Sequence, residues 1–295
     1  MAQISINKPK RRELLLYIGP GFLIYAFVVL LPIIFSLRYS FLEWSGGKNA
    51  KFIGLNNYIE LMNDKDFWWA LKNNLFIIVV CVIGQIGIAF LLATAMNSKL
   101  LKLNRLHRTL LFLPVVLSAV VIGFLWTIMY NKDAGLINLF LKVIGHPEWI
   151  KAWLDDPGIV LTSVSIPLIW QYMGLYLVIF LAAYQGIPKD VFEVAEIDGA
   201  SGLKKMWYIT LPLIMDTFKV ALMLCIAGNM KVFDHIFIMT NGGPGNASTV
   251  VAQFAYNNSF IKFKLGYGSA ISIAIMIVSL ILIVLSRKVG GKNHA

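Results

Sequence analysis

Six polar side chains stand in one otherwise apolar stretch of the sequence: Asp216, Lys219, Asn229, Lys231, Asp234 and His235. Asp216 and Lys219 are three residues apart, and Lys231 precedes Asp234 and His235 by three and four. On a helix each set shares one face, so each can pair internally. Ionisable groups in an apolar setting are costly unless they pair or face a protein interior or a water-filled path. Two uses therefore stand open, internal pairing or the lining and gating of a polar route. Enzymatic chemistry has little support. The two Gly-Gly-Lys triplets, at 46–48 and 290–292, are each followed by Asn, so neither completes a phosphate-binding G-x-x-x-x-G-K-[ST] loop. There is no H-E-x-x-H, and the four histidines (107, 146, 235 and 294) are scattered. Cys81 and Cys225 each sit inside an apolar run and read as small apolar residues, with no disulfide or metal site. The chain reads as a non-enzyme, with no metal and no cofactor of its own.

The elements that must hold these residues are membrane spans. Of 295 residues, 58% are hydrophobic and 14% charged, where a soluble domain carries about 25% charged residues. The net charge of +11 reads as the basic bias that orients membrane loops, with no call for nucleic acid. Six apolar stretches are long enough to cross a bilayer as helices: about 14–38, 75–96, 109–130, 159–185, 213–239 and 266–286. The first is too long for the apolar core of a signal peptide and is expected to stay as a span. Continuous runs without alternation point to helices, giving an all-α membrane protein with six transmembrane helices. One set of alternate loops (1–13, 97–108, 186–212 and 287–295) carries fourteen Lys and Arg, against nine in the longer opposite set. Both termini are accordingly expected in the cytoplasm. The expected organisation is a cytoplasmic N-terminus (1–13), a six-helix transmembrane domain (14–286) and a cytoplasmic tail (287–295).

The outer loops carry more than linker residues. "GLNNYIELMNDKDFWWALKNN" (54–74) mixes acids with Tyr58, Phe67, Trp68 and Trp69, as expected of a helix lying at the membrane interface. "GLINLFLKVIG" and "EWIKAWL" within 135–154 read the same way, and "TNGGPGNAST" (240–249) is a turn cluster. The inner segment 186–212 is different. Glu193, Ala195 and Glu196 favour helix, Gly199 and Gly202 call for a turn or a close approach, and Ser201 can cap a second short helix reaching Thr210. Pro212 suits the first turn of span five. A short helix–turn–helix on the cytoplasmic face, unable to bury itself in lipid, is a candidate to plug into another protein. For a polar ligand, span four offers Trp170, Gln171 and Tyr172, and span five offers Asn229 and Phe233 one turn apart.

The stretch E-x-A-x-x-D-G-A followed by I-x-L-P resembles the cytoplasmic signature of permease subunits of binding-protein-dependent ABC importers. Here it is Glu193, Ala195, Asp198, Gly199 and Ala200, then Ile209, Leu211 and Pro212. "FIGLNNYIELMNDKDFWWALKNN", "RTLLFLPVVLSAVVIGFLW", "GLIN" and "TNGGP" extend the similarity to the carbohydrate-uptake branch and its maltose-permease-like subunit, over nearly the whole chain. Two positions depart from the pattern. Val194 stands where alanine is usual, and Asp216 where a second proline is common, which implies a less kinked start to span five. The resemblance implies a type I ABC importer permease fold in a bacterial or archaeal cell membrane. It also implies that 186–212 couples to a separate ATPase, which holds the ATP and Mg. The partners implied are a second homologous permease, two ATP-binding subunits, an extracellular substrate-binding protein and membrane lipid. The substrate class implied is a sugar or oligosaccharide, with polyols, phosphorylated glycerol and acidic oligosaccharides also open. Asn229 falls on a substrate-contacting asparagine of maltose-type permeases. Tyr172, Leu175, Cys225, Gly228 and Val232 occupy other pathway positions there with different residue types, which implies a sugar other than maltose or looser contact. The alternative reading is a self-contained ion-coupled secondary transporter or channel that uses the span-five charges.

Overall fold

The computed structural model describes residues 11–97 and 104–288. Much of the expected N-terminal segment, the middle of the 97–108 loop and most of the 287–295 tail lie outside the described residues. Two compact units form, residues 11–63 with 257–273, and residues 64–256 with 274–288.

In the first unit, α1 (Arg11–Tyr25) continues through a π-helical segment, Ala26–Leu30, into a further helical stretch, Leu31–Tyr39. Its apolar side chains stay exposed along its length, as lipid-facing residues do. A two-residue hairpin follows, β1 (Leu42–Glu43) antiparallel to β2 (Lys51–Phe52), and then α2 (Asn56–Asn63). The Asn57 amide donates to the Ser40 and Leu42 carbonyls at 2.8 and 2.9 Å, and so ties α2 to the hairpin. Lys264 and Glu60 form an ion pair at 3.1 Å.

The second unit is a helix bundle. Asp64 caps α3 (Lys65–Asn97), its carboxylate accepting from the Asp66 and Phe67 amides. The aromatic stretch 54–74 is therefore not one interfacial helix. It divides at Asp64, and Lys65 to Asn74 are the first turns of a 33-residue helix. Within α3, Val82–Gly87 is π-helical.

The expected span 109–130 is two helices, α4 (Asn104–Val116) and α5 (Ala119–Met129), bent by 100°. Pro114 has no N–H for the Leu110 carbonyl, and Ser118 caps a new helix by accepting from the Val120 amide at 3.3 Å. The helix α6 (Leu136–Val143) leaves Leu136, Leu139, Phe140 and Val143 exposed on one side. Asn138, buried on the other, donates to the Lys132 and Lys151 carbonyls. The longest unbroken apolar helix of the unit after α3 is α7 (Val160–Gln185). It is followed by α8 (Lys189–Ile197) and α9 (Gly202–Leu213), the latter π-helical over Met206–Thr210.

The expected span 213–239 is also broken. From α9 the chain turns by 80° at Ile214 into α10 (Met215–Met230), so the absence of a second proline at Asp216 does not straighten this junction. Pro212 lies in the last turn of α9 and not in the first turn of the span. The chain leaves the helix at Lys231–Phe233 and resumes as α11 (Asp234–Met239). A turn leads to α12 (Val251–Tyr256), and α13 (Leu265–Ser286) closes the chain. Among the described residues four helices are long and apolar enough to cross a membrane, and up to six spans result if each bent pair counts as one.

Candidate functional site

The inner polar segment is built by a defined helix stop. At the end of α8 the Gly199 amide donates to the Glu196 carbonyl at 3.2 Å, and the Ala200 amide to the Ala195 carbonyl at 2.8 Å. This double bond pattern closes a helix around a left-handed residue, and Gly199 has φ +75°. Gly202, with φ +54°, reverses the chain again. Both glycines face open space, so each serves a turn and not a close approach. Ser201 occupies the cap position of α9, but its side chain makes no capping bond. Lys205 braces the pair of helices, 3.0 Å from the Glu196 carboxylate and 4.7 Å above the Phe192 ring.

Of the signature residues, Ala195 is buried while Glu193, Asp198 and Gly199 are exposed. Beside them Val194, Ile197, Leu203, Trp207 and Tyr208 are exposed too, Ile197 to 84% and Tyr208 to 80%. A segment this apolar and this exposed has a surface that the chain itself does not cover.

The polar residues expected along a substrate route fall into two buried networks. In the first, the Asn229 amide donates to the Cys225 carbonyl at 2.9 Å and lies 3.4 Å from Gln85 Oε1. Cys225 Sγ also reaches Gln85 Oε1, at 3.3 Å, and Gln85 Nε2 donates to the Leu168 carbonyl at 3.1 Å. Asn74 Nδ2 donates to the Asn229 carbonyl at 3.1 Å, which supplies a donor where α10 ends. In the second, Gln171 Nε2 donates to the Leu117 carbonyl at the α4–α5 bend, and Gln171 Oε1 pairs with His235 Nε2 at 2.7 Å.

Gln171, Cys225, Asn229 and Val232 are thus buried within this chain. Trp170, Tyr172, Leu175 and Phe233 are half-buried, and Gly228 is exposed. The Trp170 ring lies 6.1 Å from Trp126, Tyr172 lies 6.3 Å from His235, and Phe233 stacks on Phe237 at 5.1 Å. The expected charge sets divide. Asp216 and Lys219 do pair, at 3.6 Å. Lys231 and Asp234 are exposed and unpaired among the described residues, because the helix that would align them ends at Met230, while His235 turns inward.

Sequence reasoning passed over Gln85 and Asn74, and set His235 beside Lys231 where the structure pairs it with Gln171. An amide within a long apolar run, as at Gln85, was the available signal, since a buried amide demands partners.

The turn 240–249 is held from α3. Asn73 Nδ2 donates to the Ala247 and Thr249 carbonyls, both at 3.0 Å, and Trp69 Nε1 to the Asn246 carbonyl at 3.2 Å. Inside the turn the Ser248 hydroxyl donates to the Gly243 carbonyl at 2.6 Å. Asn241 and Asn246 adopt positive φ, as asparagine tolerates better than most residues.

Long and bent apolar helices with buried amides inside them, beside an uncovered helix–turn–helix, are the features of an integral membrane protein. The sequence profile of the family described as "Binding-protein-dependent transport system inner membrane component" matches residues 85–289, and the chain belongs to that family. Among its relatives is the probable ABC transporter permease protein YurN of Bacillus subtilis (strain 168), 35% identical over 275 residues, 92% of this chain and 94% of the relative. The arabinooligosaccharides transport system permease protein AraP of the same organism is 31% identical over 278 residues, covering 94% of this chain and 88% of the relative. A solved bacterial alginate ABC transporter, in complex with an alginate pentasaccharide-bound periplasmic protein, has a chain that superposes with a TM-score of 0.80. At 22% identity, over 96% of this chain and 97% of that one, it shows that the two chains share a fold.

Proposed function

We propose that this chain is the membrane-spanning permease subunit of an ABC importer that moves a sugar or oligosaccharide inward. ATP hydrolysis takes place on separate subunits. The observation that carries the reading is the exposed α8–α9 segment, Glu193 to Pro212, in a chain of the binding-protein-dependent inner membrane family. Its turn is closed by two backbone hydrogen bonds, and its exposed apolar residues are free to meet a partner. An ATPase pair that closes on nucleotide would pull this segment and tilt the spans attached to it. Glu193, Ala195, Asp198, Gly199, Ala200, Leu211 and Pro212 form the coupling element. Ala195 packs it against the chain, and the exposed members meet the partner.

Several observations support the rest of the assembly. The name of AraP supports an oligosaccharide as substrate class, and the periplasmic protein bound to the alginate transporter supports delivery by a binding protein. A second, homologous permease completes the pathway, and two ATP-binding subunits carry the ATP and Mg. Both termini lie in the cytoplasm of a bacterial or archaeal cell, as the fourteen basic residues of the inner loops suggest. Trp170, Gln171, Tyr172, Leu175, Cys225, Gly228, Asn229, Val232 and Phe233 line or back the substrate path. Trp126, His235 and Phe237 pack against the half-exposed rings Trp170, Tyr172 and Phe233 respectively, and aromatic faces suit the apolar faces of a sugar.

The test is reconstitution of the chain in liposomes, alone and with a partner permease, ATP-binding subunits and sugar-loaded binding protein. Sugar uptake should require all components and ATP. Uptake by the chain alone under an ion gradient would overturn the reading in favour of a secondary transporter.

A further inference from the structure

On the surface of the second unit, between α4 and α7, lies an open cleft of about 350 Å³ lined by Arg108, Thr109, Phe112, Leu113, Val116 and Val178. Five of these residues fall on one stripe of α4, and eight residues of helix separate Arg108 from Val116, a run of about 12 Å. One end of the cleft carries Arg108 and Thr109. All the rest is apolar. Arg108 is exposed and has no ion-pair partner among the described residues, and no Asp or Glu occurs anywhere between Asn97 and Lys132. Over residues 97–108 the sequence carries four basic residues, the charge pattern that attracts anionic lipid just outside a span.

We propose that this cleft is a binding site for an anionic phospholipid. The acyl chain lies along Phe112, Leu113, Val116 and Val178, and the headgroup phosphate sits on the Arg108 guanidinium. The lining favours lipid over a docked helix. Helices pack against one another in membranes through small residues that let backbones approach, whereas this cleft is walled by Phe, Leu and two Val. Close approach occurs one turn away instead, where a Cβ on Gly174 would collide with the Leu111 carbonyl, so α4 and α7 are clamped there and the cleft flanks the clamp. A lipid in it would brace α4 against α7 beside the α4–α5 bend. The assignment of the site to the cytoplasmic leaflet rests on the orientation proposed above. The site itself does not.

The test is native mass spectrometry of the purified transporter with added phosphatidylglycerol or phosphatidylcholine. The parent should retain phosphatidylglycerol about fivefold better, the preference expected of one basic residue at a membrane surface. R108Q, which breaks no ion pair among the described residues, should abolish the preference. V116W and V178W, which fill the cleft, should lower retention of both lipids. Equal preference in R108Q and the parent would overturn the proposal, as would unchanged retention in both tryptophan variants. So would a cross-linker at L113C that captures the second permease, because the cleft would then be covered by protein. In vesicles with phosphatidylglycerol confined to one leaflet, retention only from the extracellular leaflet would uphold the site and overturn the orientation.

Discussion

Replacing Gly199 should uncouple transport through backbone conformation alone. Its φ of +75° lies in the left-handed region, where an L-residue costs roughly 1–2 kcal/mol. No heavy atom lies within 4 Å of an added Cβ, so sterics contribute nothing within the chain. About 1.4 kcal/mol is a tenfold change in an equilibrium. Gly199→Leu should therefore lower the population of the closed turn, and with it the apparent affinity for the ATP-binding subunits, by about tenfold. The chain should still insert, because Gly199 lies outside every apolar span. Gly199→Asn is the discriminating variant, since asparagine visits the left-handed region at lower cost and should recover most of the affinity. The assay is titration of the purified ATP-binding subunits against each variant, together with ATP hydrolysis stimulated by the binding protein. Leucine and parent behaving alike would refute the coupling role of the turn. Asparagine failing as badly as leucine would refute the conformational reasoning, since it would mean that a partner packs directly onto the glycine.

Cysteines introduced at the exposed Asn63 and Asn246 should react with an impermeant thiol reagent from outside the cell, and labelling only from the cytoplasm would invert the topology. Asn229→Leu removes the donor to the Cys225 carbonyl and one contact to Gln85, a loss of about 1–3 kcal/mol, and should lower transport while binding-protein-stimulated ATP hydrolysis persists. Gln85→Leu disturbs the same network and serves as its control: if transport in both variants simply tracks thermal stability, Asn229 acts by packing. Normal transport in both Asn229→Leu and Tyr172→Ala would move the pathway elsewhere. Asn73→Ala strips the donor from the Ala247 and Thr249 carbonyls and should weaken stimulation by the binding protein without changing basal ATP hydrolysis; an unaltered response would show that the 240–249 turn needs no clamp.

The class of the protein was legible because lipid imposes a one-dimensional rule. In lipid a backbone is satisfied only in helices or closed barrels, and a chain with 58% hydrophobic residues in continuous, non-alternating runs takes the helices. The turn at Gly199 was equally legible, because a left-handed helix stop is a local event that a glycine two residues past the last helical position announces. Local signals also existed for the 100° bend after Val116, in Pro114 and Ser118, but an unbroken apolar run masked them. Hydropathy counts where a residue prefers to be and says nothing of the angle between successive turns. The partners of the buried amides came from the tertiary structure alone. Asn229 meets Gln85 across 144 positions, and His235 meets Gln171 across 64. The same holds for Lys231 and Asp234, three apart in sequence yet without an ion pair among the described residues, because α10 ends at Met230 and the helical face that would join them stops there. Helix-forming tendency and lipid preference are carried by each residue with its near neighbours, whereas a hydrogen bond between distant amides exists only once the helices that bear them have packed.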